Sequence, residues 1–476
     1  MPEALMFTPN QSAKYRTRDS IAIFMVAWLI FISPAGRAAV KDNETELNSL
    51  KQEIELLRNR VNYLETQLNS VLQLVKNAPA SGEETRDNDR TTKTEPAKIP
   101  AAGPRDYATV TASDNSAINV GGRVKLDAIY NSRSVGGNSG SNSGDLAFTP
   151  SAIPINGAGE DDQISFNARQ TRLWLKGYSS SSYGEMAGYL EIDFNASSGA
   201  SNEKVSNAYI PRLRHAYGTL GGITLGQTYT TFMNVSAFPE MNDLNGPVGI
   251  MNVRQPLLRY RFDRDWGNIY VALENPETTL TTAAGDRIAP DDDRVPDLVG
   301  KVEFSNDRGN WTIAGMAREI RSDGAVLANV ADSAWGGAIS AAGRIRVFKQ
   351  DNLRFNLSYG NALGRYLSYN AFDDGVIDNN GNIELTEIIG GYLAYQHWWS
   401  DDLRSSIGAG FALADYNSAV DPGSANKKFY STHVNLIWNP SLNASIGVEW
   451  LKGYRELEDG RDGQINRVQL TSIYNF

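Results

Sequence analysis

The sequence predicts an all-β transmembrane barrel of about 16 antiparallel strands with an N-terminal α-helical coiled coil, and three observations predict it. From Ile118 to the end, short segments alternate apolar and polar residues with period two, as strands do when one face meets lipid and the other water. The breaks between these segments run alternately long and short. The chain stops on Phe476, the last residue of one such segment.

Composition fits this class without deciding it. The 476 residues include 43 glycines and 10% aromatics, and mean hydropathy is negative. No run beyond the N-terminus is apolar enough to span a membrane as a helix; in a barrel, lipid-facing and lumenal residues cancel in a sliding average. A large soluble β-solenoid would share these numbers. There is no cysteine, so disulfides and thiolate metal sites are excluded. A net charge of −10 argues against a nucleic-acid partner.

Residues 1–38 read as a secretory signal peptide. Lys14, Arg16 and Arg18 precede the apolar run Ile21 to Ile32, and small residues follow, with cleavage expected near Ala38 or Ala39. That run of about twelve residues is too short for a membrane anchor, which needs about 20. Residues 39–76 carry heptads: Leu47, Ile54, Val61, Leu68 and Val75 at one core position and Leu50, Leu57, Leu64 and Val71 at the other. This narrow seam, held over about four heptads, predicts that identical chains associate, and the residue types leave two or three strands open. Residues 77–115, with Pro79, Pro96, Pro100 and Pro104 among polar residues, cannot bury a core and read as a flexible linker.

The barrel is expected over residues 116–476. Short breaks such as Gly221–Gly222, Asp265–Gly267 and Asn439–Ser441 alternate with long ones such as Ser132–Asp162 and Asn361–Asn382. Tight periplasmic turns and extended outer loops give this pattern, which places both barrel ends, and the coiled coil, in the periplasm. One break is unusual. Between the strand around Leu225 and that around Leu258, Tyr260 and Phe262, residues 228–256 hold Pro239, Gly246, Pro247, Gly249 and Pro256 yet are too apolar for a free loop. In a barrel wide enough to hold water this segment is expected to fold inward and narrow the passage. On the last strand, Val468, Leu470, Tyr474 and Phe476 share one face while Arg467, Gln469 and Thr471 share the other.

Several stretches make residues 118–476 resemble the DcaP-like trimeric outer-membrane porins: RQTRLWLKG (169–177), LRHAYGTLGGITLGQTYTTFMNVSAFPE (213–240), RQPLLRY (254–260), YQHWWSDDLRSSIG (395–408) and the terminal INRVQLTSIYNF. The resemblance is specific in the middle third and at the C-terminus, and weak in the outer loops. It implies sixteen strands, three chains rather than two, an outer membrane of a Gram-negative bacterium, and passage of small anions such as dicarboxylates.

The polar faces of the strands carry more bases than acids. Arg123, Lys125 and Asp127 lie on the first strand, Arg169 or Arg172 on the second, Glu191 and Asp193 on the third, and Arg212 and Arg214 on the fourth. Arg259, Arg261, Lys301, Arg344, Arg346, Arg354 and Arg467 follow. Strand direction puts Arg123, Arg169 or Arg172, Arg214, Arg259, Arg261, Lys301 and Arg467 at middle heights, beside the infolded segment. Arg169 and Arg172 have opposite parity, so one faces lipid unless a bulge intervenes. Planar arginine forks hold carboxylates bidentately, so a basic lumen under acidic outer loops reads as an anion path. The bland alternative is a solvated wall in which Asp127, Glu191, Asp193 or Asp263 neutralises these cations.

Other chemistry finds little support. His215, His397 and His433 show no metal-ligand spacing, GGNSGSNSG (136–144) lacks the lysine of a phosphate loop, and the segment Asp378 to Glu387 misses the first ligand of a calcium loop. No nucleophile–base pairing stands out, so neither enzyme activity, cofactor nor metal is expected. The expected function is passive uptake of small anionic solutes. The rivals are a sugar-specific porin, which would need an aromatic slide, and an envelope tether binding the cell wall through its coiled coil.

Overall fold

The structure is a computed structural model, and it describes residues 108–113, 116–134, 146–196, 209–282, 285–324, 330–416 and 423–476. The signal peptide, the heptads and the linker up to residue 107 lie outside the described residues.

β1 (Ala108–Ser113), within the stretch expected to be linker, folds back on β2 (Ser116–Ser134). β3 (Glu160–Asn167), β4 (Arg172–Ser181), β5 (Gly184–Asp193), β6 (Arg212–Leu220), β7 (Ile223–Tyr229), β8 (Arg254–Arg264) and β9 (Gly267–Glu274) follow. The short β10 (Leu280–Thr281) and β11 (Arg287–Ile288) lie in the next connection. Then come β12 (Asp297–Asn306), β13 (Gly309–Asp323), β14 (Ala331–Phe348) and β15 (Asp351–Gly360). β16 (Gly375–Ile377) and β17 (Ile383–Leu385) lie in another connection, and β16 pairs with β10 to make a small four-stranded sheet in the order β11-β10-β16-β17. β18 (Glu387–Trp398), β19 (Leu403–Asp415), β20 (Asn426–Ser441), β21 (Ala444–Leu457) and β22 (Asp462–Asn475) end the chain.

The sheet closes on itself because β2 pairs with β22 along one edge and with β3 and β4 along the other, always antiparallel. β3 and β4 share one wall position and β1 is appended, so the 18-stranded sheet is a barrel of sixteen wall strands. Closure joins the first and last wall strands, so the wall has no open seam, which strands in lipid could not tolerate. Faces separate sharply along each strand. Lys125 and Asp127 are 4% and 0% exposed while their neighbours Val124 and Leu126 are 49% and 48% exposed. Exposed Leu173, Leu175, Leu258, Ile313, Leu393 and Leu470 continue this apolar exterior, which hydrocarbon solvates and water would not.

Two irregularities re-aim side chains on adjacent wall strands. Four residues, 168–171, separate Asn167 from Arg172, opposite only three between Asp127 and Arg123 on β2. The extra residue is a bulge that reverses parity, so Arg169 follows the inward set of β3 and Arg172 the inward set of β4. Both arginines therefore lie on the lumenal side. A second register shift, Glu191 opposite His215 and Ile192 opposite Leu213, turns Arg214 and His215 inward together.

The core is inside the barrel. Phe148 from the β2–β3 connection, Phe232, Met233, Val248 and Met251 from the β7–β8 connection, and Leu363, Tyr366, Leu367 and Phe372 from the β15–β18 connection form one buried cluster. Inward-facing glycines let these segments lie flush against the wall. A Cβ on Gly410 would meet the carbonyl oxygen of Val248 at 1.9 Å, and one on Gly447 would meet the Asn242 side chain at 2.5 Å.

Candidate functional site: the constricted lumen

The β7–β8 connection, residues 230–253, crosses the lumen and is tied down along its length. At its root Thr230 Oγ1 and Thr231 N donate to the Glu274 carboxylate at 2.5 and 2.6 Å. Asn234 Nδ2 donates to Asn310 and to the Ala342 carbonyl, and Tyr392 Oη donates to the Ala237 carbonyl. Arg404 holds Glu240 with both sides of its fork, at 2.7 and 2.5 Å. Burial opposes ionisation of Glu240, yet the hydrogen bond and charge of Arg404 outweigh it and hold the carboxyl below its usual range. Asn242 N donates to Glu449 at 2.6 Å, and Arg467 Nη1 to Asp243 at 2.9 Å. The segment thus hugs the wall from β9 through β22 and leaves open the wall of β4–β8.

A second infolded connection braces the first. Ser368 Oγ accepts from Gly249 N at 2.7 Å, Ser368 N donates to the Ile250 carbonyl, and Tyr369 Oη donates to the Asn245 carbonyl. Ser368, Tyr369 and Asn370 have φ of 49°, 63° and 59°, three successive non-glycine residues in the left-handed region. Such conformations cost roughly 1–3 kcal/mol each and persist where the surroundings over-determine them. Here they shape the support of the constriction.

The arginines separate into three groups. In the first, Arg123, Arg172, Arg212 and Arg214 gather on the open wall. Glu191 pairs with Arg214 at 2.5 Å and Arg172 at 3.5 Å, and Asp193 with Arg212 at 2.7 Å and Arg214 at 2.9 Å. Among the described residues Arg123 makes no ion pair, and the buried Nε atoms of Arg123 and Arg172 donate to nothing. Arg123, Gln170 and Arg172 line, with Phe238 to Leu244 of the infolded segment, a cavity of about 220 Å³, and Lys125 bounds it by donating Nζ to Gln170 and to the Asn242 carbonyl at 2.9 Å. Arg169 is buried beneath this group, its guanidinium 4.6 Å from the Tyr209 ring.

The second group lies on β8 and β12. Arg259 and Arg261 do face inward, but they stand five and three residues before Arg264, where β8 ends at a short turn. Arg261 pairs with Asp263 at 2.7 Å, as in the neutralised-wall alternative. Lys301 Nζ donates to the Met233 carbonyl at 3.2 Å and lies over the Tyr270 ring, beside Arg259. The third group supports rather than lines: Arg467 is 1% exposed and clamps Asp243.

Sequence reasoning missed Arg254, Arg404, Glu240 and Tyr229. Arg254 shares parity with the lipid-facing Leu258 and Tyr260, so alternation points it outward. It pairs in register with Tyr229, its guanidinium 5.4 Å from that ring, and the Tyr229 ring rests against His215 and Phe238 on the lumenal side. A run of rings, Tyr189, Tyr217, His215, Tyr229 and Phe238, therefore lines the open wall with centroids 4.8 to 6.4 Å apart.

A closed sixteen-strand barrel with an apolar exterior, a charged lumen and an infolded constriction is an outer-membrane channel of the porin type. The chain belongs to the DcaP outer membrane protein family, whose model matches residues 36–476. Among solved structures it is similar to the outer membrane channel DcaP of Acinetobacter baumannii, at 24% identity, a TM-score of 0.67, and coverage of 78% of this chain and 100% of that one; this likeness concerns the fold. Weaker likenesses are to the anion-selective porin from Comamonas acidovorans, at 11% identity, 76% and 100% coverage and a TM-score of 0.48, and to OmpT of Vibrio cholerae, at 9% identity, 77% and 100% coverage and a TM-score of 0.49. No curated protein sequence matches the chain. Fold and family are those of a channel rather than an enzyme.

Proposed function

We propose that this porin passively admits small anionic solutes, dicarboxylates in particular, through the gap between the open wall and the infolded segment. The observation that carries this is the excess of arginine on one wall: of Arg123, Arg172, Arg212, Arg214 and Arg254, only the middle three pair with Glu191 and Asp193, and Arg123 and Arg254 make no ion pair among the described residues. The unpaired forks of Arg123 and Arg254, the former with a buried Nε that finds no partner among the described residues, suit a carboxylate that binds by exchange and leaves. A cavity of about 220 Å³ holds on the order of seven water volumes at about 30 Å³ each, room for a short-chain diacid. In planar bilayers under a salt gradient, the reversal potential should report anion preference, and butanedioate should block the current. Cation preference, or no block at low salt, would end this reading.

The aromatic run from Tyr189 to Phe238 favours a second reading, a sugar-specific porin, since sugars slide along ring faces. Current block by a neutral oligosaccharide, stronger than block by butanedioate, would select it.

Three chains are proposed to assemble in the outer membrane, joined at residues 39–76 and along the barrel wall, with the heptads in the periplasm. Beside the heptads, the wall supports this. Gly177, Gly188 and Gly218 lie in register across β4, β5 and β6, forming an outward trench where another wall can approach closely. Full-length protein in mild detergent should have the mass of a trimer, and protein lacking residues 41–112 should still trimerise, less stably. A truncated protein that runs only as monomer would refute the wall contact.

A further inference from the structure

Across the barrel from the open wall, β14 and β15 bring like charges together. Arg344 and Arg354 are direct cross-strand partners, and Arg346 lies on the same face, two residues nearer the short turn. Like charges directly opposite one another destabilise a sheet, so the pairing asks for something else to stabilise it. The protein supplies little. None of the three makes an ion pair among the described residues, and the one carboxylate near them, Glu240, is already held by both sides of the Arg404 fork and by Gln396. Arg354 donates Nε to Asn352 at 2.7 Å and a terminal nitrogen to the Phe238 carbonyl, which fixes its fork directly beneath the infolded segment. Arg344 and Arg346 stay exposed to the lumen.

We propose that this face is a second anion site, at the short-turn mouth of the channel, that captures doubly charged oxyanions and passes them to the arginines beside the infolded segment. It rests on the anion reading of the pore. The two groups of forks stand on opposite walls and at different heights, so a diacid leaves one with a free carboxylate available to the other. The lower group also concentrates anions at its own mouth, raising the rate of entry from that side alone.

The test is single-channel block by butanedioate, added to one side at a time, of full-length channels inserted in one orientation at low salt. Arg344→Ala with Arg346→Ala should slow association from the short-turn side about three- to tenfold and change it less than about twofold from the long-loop side. The Arg344→Lys, Arg346→Lys variant should restore the rate, since charge is kept; this separates an anion site from lost packing. Arg354 is left in place because it also holds the infolded segment. Unchanged association, equal slowing from both sides, or failure of the lysines to rescue overturns the inference. A parent channel without anion preference would instead overturn the reading on which it rests.

Discussion

Arg318→Met is expected to destabilise the barrel by about 3–5 kcal/mol, measured as a lowered midpoint of thermal or denaturant unfolding. Arg318 is fully buried on β13. Its Nε donates to Asp297 at 3.0 Å, Nη1 to Asp374 at 2.7 Å and to the Ala362 carbonyl at 3.0 Å, and Nη2 to the Glu277 carbonyl at 2.7 Å. One guanidinium thus joins the wall to two infolded connections. A buried ion pair adds little over a well-packed apolar pair, but removing one partner strands the others. Methionine fills the space and leaves Asp297 and Asp374 without their principal counter-charge, which is where the cost arises. The effect should also reach the pore. Asp374 and Tyr366 anchor the segment whose Ser368 and Tyr369 brace the constriction, so single-channel current should become noisier. Arg318→Lys keeps the charge but loses the fork, and should fall between the two. A methionine variant as stable as the parent would show that this node is neutral in balance, as some buried ionic clusters are.

The architecture was legible because its cause is periodic. Lipid on one side and water on the other impose alternation on every strand, so Leu173 and Leu175 or Val468 and Leu470 betray their face without any tertiary information. The infolded segment was legible for the opposite reason, its apolar residues breaking the pattern where no lipid could receive them. What alternation cannot show is where it fails. The extra residue at 168–171 brings both Arg169 and Arg172 inward, and the shift at Glu191 brings in both Arg214 and His215; neither leaves a composition signal. Arg254 follows the outward parity of its own strand, yet sits where the strand ends and the chain turns into the lumen. The aromatic run was missed because its members come from four different segments, β5, β6, β7 and the infolded connection.

Replacing Arg123 and Arg254 together with alanine should therefore shift the reversal potential toward cations more than replacing Arg259 and Arg261. The reasoning is one of residual charge. Arg172, Arg212 and Arg214 are committed to Glu191 and Asp193, whose negative charges remain in any variant. Arg123 and Arg254 have no ion-pair partner among the described residues, so they supply the excess field beside the infolded segment. Remove both and the local balance falls to three arginines against two carboxylates, while Arg261→Ala simply releases Asp263. Charges in a wet lumen are screened over about 8–10 Å at physiological salt, so the difference should grow as salt is lowered. Block by butanedioate should weaken in parallel, because forks rather than mere positive potential hold a carboxylate. Arg123→Lys with Arg254→Lys separates these effects, keeping the reversal potential while losing part of the block. If the alanine pair leaves both quantities where the parent has them at low salt, the arginines beside the constriction are a solvated wall and the anion path must lie elsewhere in the lumen.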